Sequence, residues 1–417
     1  MNVDRSNLSE IRASARYATW IAPLTITALI ISRRPDAMFC PQFWAEDGAV
    51  WYADAYNKGA TALLLPHNGY FQMLPRLIAM LAQYVPFSLG PLLFNSVALL
   101  IQISCALFVI SSRASTLGKY RVRLMIAFLY LAIPNSNEIH GNLTNAQWHL
   151  AFLSLLVILA KPPTTNMAQL FDLVVIGLTG FTGPFVIFLC PIAALLYMKE
   201  RAGRYRSVLI YCVGCGLVQV GTLLITWSPV RMEAVRGASP TLLLEILVRQ
   251  VFGAALLGRR TLGGLSSNSF WALPVALLAA LSVGIHFCAW LCGPFRWKML
   301  FAFSTRIFVA SLAYPMVPSP QWHTLASAGG IRYWFFPILA FLMGLVCMVE
   351  APNHFVRSVA RILLTISLVG VVQDWGHPRF TDQHFQEYVQ AFSQVSVSTP
   401  FAIPLNPEGW SMKLIKK

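Results

Sequence analysis

Apolar runs recur along nearly the whole of this chain, and that pattern most limits what it can fold into. A run of about 18 or more apolar residues can cross the ~30 Å hydrocarbon core of a bilayer. A soluble core does not absorb so much continuous apolar sequence. Hydrophobic residues make up 57% of the 417 residues and charged ones 11%, and the mean hydropathy is +0.61. The expected fold class is an all-α polytopic membrane protein with about 11 transmembrane helices. Spans are expected at about residues 17–32, 91–110, 122–134, 147–160, 167–180, 184–198, 206–228, 271–292, 299–315, 333–349 and 356–373.

The formal net charge of +15 would suit nucleic acid if it lay on one polar face. Instead the Lys and Arg residues fall mainly in short loops between apolar runs, which is how membrane proteins fix their orientation. With Arg5, Arg12 and Arg16 in the cytoplasm, later loops on that side carry Arg113, Lys119, Arg121 and Arg123; Lys161; Lys199, Arg201, Arg204 and Arg206; Arg296 and Lys298; Arg357 and Arg361. The short opposite loops 134–146 and 181–183 carry no Lys or Arg. No nucleic acid partner is expected, and an odd span count puts the C-terminus outside. The first apolar run is followed by Ser32-Arg33-Arg34-Pro35 rather than a small-residue cleavage site, so it reads as a retained span.

The chain divides into a transmembrane domain, 1–373, and a short outer tail, 374–417. The first outer loop is 33–90, and residues 229–270 and 315–332 are also expected outside. Within the first loop, residues 44–58 read as a short helix ending before Gly59. Residues 70–84 read as a second, with Gln72, Arg76 and Gln83 near one face, the pattern of a helix lying in the membrane interface. The tail reads as two short strands, 401–405 and 410–414, around Asn406-Pro-Glu-Gly. Of the cysteines only Cys40 lies in an outer loop, so no outer disulfide is expected. Cys212, Cys215, Cys288 and Cys292 read as small apolar residues rather than a metal site.

Three stretches could carry chemistry. Phe43 to Gly59 holds Glu46, Asp47 and Asp54, flanked by Trp44, Trp51, Tyr52 and Tyr56. On an α-helix, Asp47, Val50, Trp51, Asp54 and Lys58 share a face, and Glu46 points about 100° from Asp47. Asp47 and Asp54 would lie about 10 Å apart along the axis, too far to share a metal, so one working carboxylate is favoured. Asp54 and Lys58 make an ordinary i, i+4 pair. Asp47 is the preferred functional acid, because it sits just outside a span and beside aromatic rings.

The second stretch, Pro134 to His149, is rich in hydrogen-bonding groups: Glu138, His140, Asn142 and Asn145, with Trp148 as a stacking face. That set suits a sugar, against a plainer reading as helix capping by Thr144 or Asn145. In the third, Arg332 beside Tyr333 at an outer mouth can hold a phosphate through paired hydrogen bonds. Anchoring by an interfacial aromatic belt is the plainer alternative. His67, Arg76 and His323 are lesser phosphate candidates. Asp172 and Arg306 lie inside spans, where ionisable residues are candidates by default.

On Trp44-Ala-Glu46-Asp47-Gly48, Asn142-Leu-Thr-Asn145-Ala-Gln-Trp148 and Arg332-Tyr333-Trp334, the chain resembles the GT-C class of integral-membrane glycosyltransferases. It is similar in particular to bacterial members that decorate surface polysaccharide or lipid. The resemblance covers most of the chain as architecture. It implies a first outer loop of two helices along the membrane that carries an acidic motif, one acid being the general base. It further implies a polyprenyl-phosphate-linked sugar donor, a glycan or lipid acceptor and a bacterial inner membrane, with a cytoplasmic N-terminus and periplasmic C-terminus. By position the motif falls on Glu46-Asp47, with Asp47 as base. The implied reaction is direct displacement, in which Arg332, with Arg76 or His67, offsets the charge of the leaving phosphate. No cofactor is required, and a divalent metal stays open. Relatives often carry a large soluble domain where this chain has its short tail. The competing reading is a transporter or flippase of lipid-linked saccharide, which would want polar residues deep in facing spans. A third is a non-catalytic assembly subunit.

Overall fold

The computed structural model of the chain describes residues 20–226, 234–265, 269–327 and 329–417. The basic residues Arg5, Arg12 and Arg16, the start of the first expected span and part of the 229–270 segment lie outside the described residues. The fold is mostly helical, with a two-stranded antiparallel sheet near the C-terminus. Among the described residues, six helices are long and apolar enough to cross a membrane: Phe87–Ile110, Gly203–Ile225, Pro240–Leu257, Ala272–Cys292, Ile331–Met348 and His354–Gln373. Three shorter apolar helices accompany them, Trp20–Arg33, Ala146–Leu159 and Asn166–Gly180. These helices make the chain a multi-pass membrane protein. The helices Tyr120–Leu131, Phe185–Glu200 and Phe295–Ala313 fall at other expected spans.

The segment 229–270, expected outside, holds a helix of its own. Pro240–Leu257 runs through it, long and apolar enough to cross. Glu245, Arg249 and Gln250 dilute its apolar run, but the fold satisfies all three. Glu245 and Arg249 pair at 2.9 Å across one turn, and Gln250 donates to the Ala326 and Ser327 carbonyls at 2.7 and 3.0 Å.

The helix Ala146–Leu159 is the axis of the molecule, with every residue but Gln147 buried. Its 14 residues rise about 21 Å, short of the ~30 Å apolar thickness of a bilayer. Its C-terminal carbonyls therefore end inside protein and need donors. Arg204 donates to the Ala160 and Val157 carbonyls at 2.8 and 2.7 Å, and Arg296 to Leu159 at 2.7 Å. Arg113 donates to the Lys161 carbonyl at 3.3 Å and clamps Asp172 through two bonds of 2.7 Å. Cations at this end also oppose the helix dipole. Asp172, singled out as an intramembrane acid, is a counter-ion of this arginine cluster.

At the opposite end of the central helix lies the loop 33–90. Its acidic stretch is helical but not a single α-helix. Asp47–Tyr52 is a π-helix, Ala53–Lys58 is α-helical, and Gly59 at φ 63° ends the α-helical part. The second loop helix is Met73–Leu81, continued as a 3-10 turn to Tyr84. The tail forms β1, Pro400–Leu405, and β2, Trp410–Ile415, paired with Ile403 opposite Met412. The end of β1 meets the acidic stretch, where the Asn406 amide donates to the Phe43 carbonyl at 3.3 Å. Gly48 lies against Leu405, whose Cδ1 would be 2.7 Å from a Cβ at position 48.

Candidate functional site

The stretch Asp47–Tyr52 is π-helical rather than α-helical, and the two acids of the motif lie in different surroundings. Asp47 turns inward and is 0% exposed. Its Oδ2 accepts from the Leu143 amide at 3.0 Å, and its Oδ1 from the Thr144 amide and hydroxyl, both at 2.7 Å. Trp51 Nε1 donates to the same Thr144 oxygen at 3.0 Å. Burial pushes the Asp47 carboxyl up to about 7, although all three donors pull it down. Glu46 is only half-buried. Burial raises its carboxyl as well, the charge of Arg332 lowers it and that of Glu138 raises it. The Arg332 ion pair is with Glu138, so Arg332 acts on Glu46 through space.

Arg332 is held from several sides. Its guanidinium pairs with the Glu138 carboxylate, and its amide donates to the second Glu138 oxygen at 2.9 Å. Nη2 donates to the Met316 carbonyl at 2.8 Å, and the guanidinium carbon lies 4.8 Å from the Tyr333 ring centroid. The Tyr333 hydroxyl accepts from the Met316 amide at 2.7 Å. The side chains of Arg332 and Glu138 keep 26% and 16% of their surface exposed, so a ligand can reach the pair.

The polar residues of the 134–149 stretch mostly shape it. Asn142 Oδ1 accepts from the amide and the side chain of Asn145, both at 3.0 Å. Both asparagines donate to the Glu138 carbonyl, at 2.8 and 3.0 Å. His140 lies 3.1 Å from the Ile30 carbonyl through Nε2, and its own carbonyl accepts from Arg34 at 2.7 Å. Burial holds the His140 imidazole well below its usual value, so the ring is neutral. Trp148 is buried among Phe185, Tyr333 and Phe336 rather than presented as an open stacking face, and its indole nitrogen is buried without a partner. Trp44 stacks on Phe380 at 5.2 Å.

Glu46, Asp47, Glu138, Asn142, Asn145, Arg332, Tyr333 and Trp148 thus gather at one end of the central helix. Arg76 and His67 lie on the other side of the π-helix, around Trp51. Arg76 bonds Asp54 at 3.0 Å and lies 5.0 Å from the Trp51 ring, while the His67 ring meets Trp51 edge-on at 5.0 Å. Asp54 therefore joins the two loop helices as well as pairing with Lys58 at 2.7 Å. Its bond to Arg76 leaves that residue poorly placed for a phosphate. Local spacing gave no sign of this cross-helix pair, nor of the Leu143 and Thr144 amides on Asp47. All eight cysteines are free thiols. Among the described residues no group of three or more His, Cys, Asp or Glu is placed to hold a metal ion.

An open apolar groove of about 330 Å³ lies between the helices Asn166–Gly180 and Gly203–Ile225. Met73, Leu173, Gly177, Phe181 and Tyr211 help to line it. Its Met73 end adjoins Gln72, which donates to Gln147 at 3.3 Å, and Gln147 donates to the Thr144 carbonyl at 3.2 Å. The groove thus connects by neighbouring contacts to the loop that holds Asp47. No family model matches this chain, and no curated protein matches it.

Proposed function

We propose that this protein is a membrane glycosyltransferase, moving a sugar from a polyprenyl-phosphate donor to a glycan or lipid acceptor on the outer face of a bacterial inner membrane. The observation that carries the reading is the gathering of Glu46, a half-buried carboxylate, and the partly exposed Glu138–Arg332 pair at one end of the central helix. Glu46 takes the proton of the acceptor hydroxyl. The oxygen attacks the anomeric carbon, the bond to phosphate breaks, and the phosphate leaves with its electron pair, inverting the centre. Arg332 offsets the charge growing on that phosphate.

This revises the choice within the motif. Both Asp47 oxygens accept from Leu143 or Thr144 and the residue is fully buried, so it fixes the loop while Glu46 does the proton work. The apolar groove, linked to the 142–145 loop through Gln72 and Gln147, is the place assigned to a prenyl chain, and no step of the scheme calls for a cofactor.

The test is a comparison of surface glycans by mass spectrometry. Strains would carry a deletion restored with wild type or with Glu46→Gln. Loss of one sugar on deletion, restored by wild type alone, is the expected result. Full restoration by Glu46→Gln would remove the catalytic reading and move a transporter or flippase ahead.

A further inference from the structure

Residue 45, next to Glu46, is the most constrained point of the acidic motif. Ala45 has φ 42°, in the left-handed region that costs a residue with a side chain about 1 kcal/mol or more. From there the backbone sends Glu46 and Asp47 in different directions. Something outside the motif has to hold that conformation, and the contacts identify it. The Ala45 amide donates to the Asn406 carbonyl, and the Asn406 amide donates to the Phe43 carbonyl at 3.3 Å. Asn406 is itself held by its side chain. Its Oδ1 accepts from the Thr381 amide at 2.9 Å, and its Nδ2 donates to the Thr381 carbonyl at 2.8 Å. It is 3% exposed. Three distant pieces of chain therefore lie side by side: 43–45, 380–381 and 405–407, with Trp44 stacked on Phe380.

We infer that Asn406 is a positioning residue for the acidic motif, aiming Glu46 from the C-terminal tail. Its amide side chain is the one short group that offers Thr381 both a donor and an acceptor. An alanine would leave both Thr381 backbone groups unmet. A carboxylate would set an oxygen against the Thr381 carbonyl, while a protonated carboxyl would again offer a donor there. Asn406→Asp is nearly isosteric and therefore carries its own titratable control.

The inference rests on the glycosyl-transfer reading only for its kinetic readout. In the full-length protein, Asn406→Asp should lower kcat about 10–100-fold at about pH 8 with the donor KM unchanged. The ratio of variant to wild-type kcat should rise as the pH falls toward about 5, because burial against the Thr381 carbonyl raises the introduced carboxyl above its ordinary value of about 3.9. A flat ratio, or a loss that tracks only the amount of folded protein, would overturn it. Hydrogen exchange of the 43–48 peptide is the second measurement and needs no activity. It should be faster than wild type at about pH 8 and return toward wild type at about pH 5. Unchanged exchange would overturn the inference even if transfer is confirmed. A wild type that transfers no sugar would instead remove the proposed function and leave exchange to judge Asn406.

Discussion

Asp47 and Thr144 are bound at two points, with Asp47 Oδ1 accepting from the Thr144 amide and from its hydroxyl, each at 2.7 Å. The loop 33–90 is thereby fastened to the start of the central helix. Thr144→Val removes one of the two bonds, also takes the acceptor from Trp51 Nε1, and should cost about 1–3 kcal/mol. Asp47→Ala strips the acceptor from every donor aimed at it, and each unmet buried donor costs about 1–3 kcal/mol. The order Asp47→Ala well below Thr144→Val below wild type is expected in thermal unfolding in detergent. Equal stability of the two variants would count against the fastening.

Glu46 has a different signature. Glu46→Gln should lower kcat by about 10² to 10⁴-fold, the usual range for a lost general base, without lowering the unfolding temperature. Burial raises the Glu46 carboxyl, so the acid limb of the wild-type kcat/KM profile should lie above the ordinary carboxylate range. Activity should rise with pH through that limb as Glu46 loses its proton. A Glu46→Gln enzyme that keeps both its rate and the acid limb would return the base to Asp47 or elsewhere.

The overall helical class and the tail hairpin were legible because their signals are local. Apolar runs mark the helices, and Asn406-Pro-Glu-Gly between two short runs marks the turn. The acidic stretch was legible as a place but not as a geometry. An α-helical period puts Asp47 and Asp54 on one face, whereas Asp47–Tyr52 is a π-helix and nothing local reveals the Leu143 and Thr144 donors that hold Asp47 inside. Asp54 reads locally as a partner for Lys58 alone, because nothing in the spacing reveals Arg76 arriving from the second loop helix. The helix Pro240–Leu257 was hidden by Glu245, Arg249 and Gln250, whose polarity is met by partners that the sequence does not display. Asn406 belongs to the site through contacts spanning most of the chain, and no pattern at residue 406 announces them.

Stability should also depend on pH through Asp47. Its carboxyl is pushed up to about 7 in the fold, from an ordinary value near 3.8. Between those values the folded chain holds a proton that the unfolded chain has released, so folding weakens as pH rises through this window. The weakening is complete above about 7, and the scale is about 1.4 kcal/mol for each unit of difference between the two states. Unfolding temperature should fall from about pH 4.5 to about pH 7.5 in wild type and fall less in Asp47→Asn. Parallel curves would mean that Asp47 does not set this dependence.

Arg204 and Arg206 are two basic residues on one helix with different work. Arg204 donates to the Val157 and Ala160 carbonyls and lies 3.5 Å from Asp172, while Arg206 is exposed. The carbonyls at the end of the buried central helix have no water to turn to, so their loss of a charged donor is not made good. Arg204→Ala should therefore cost about 1.5–3 kcal/mol, and Arg206→Ala should stay within about 0.5 kcal/mol of wild type. The consequence extends beyond stability, because the other end of this helix carries Asn145 and Trp148 and adjoins the Thr144 that holds Asp47. A central helix loosened at its arginine end should let the 142–145 loop shift, so transfer should fall in Arg204→Ala and hold in Arg206→Ala. Unfolding curves and transfer rates measured on the same preparations check both halves. Equal behaviour of the two variants would mean that surface charge, not helix capping, is what these arginines provide.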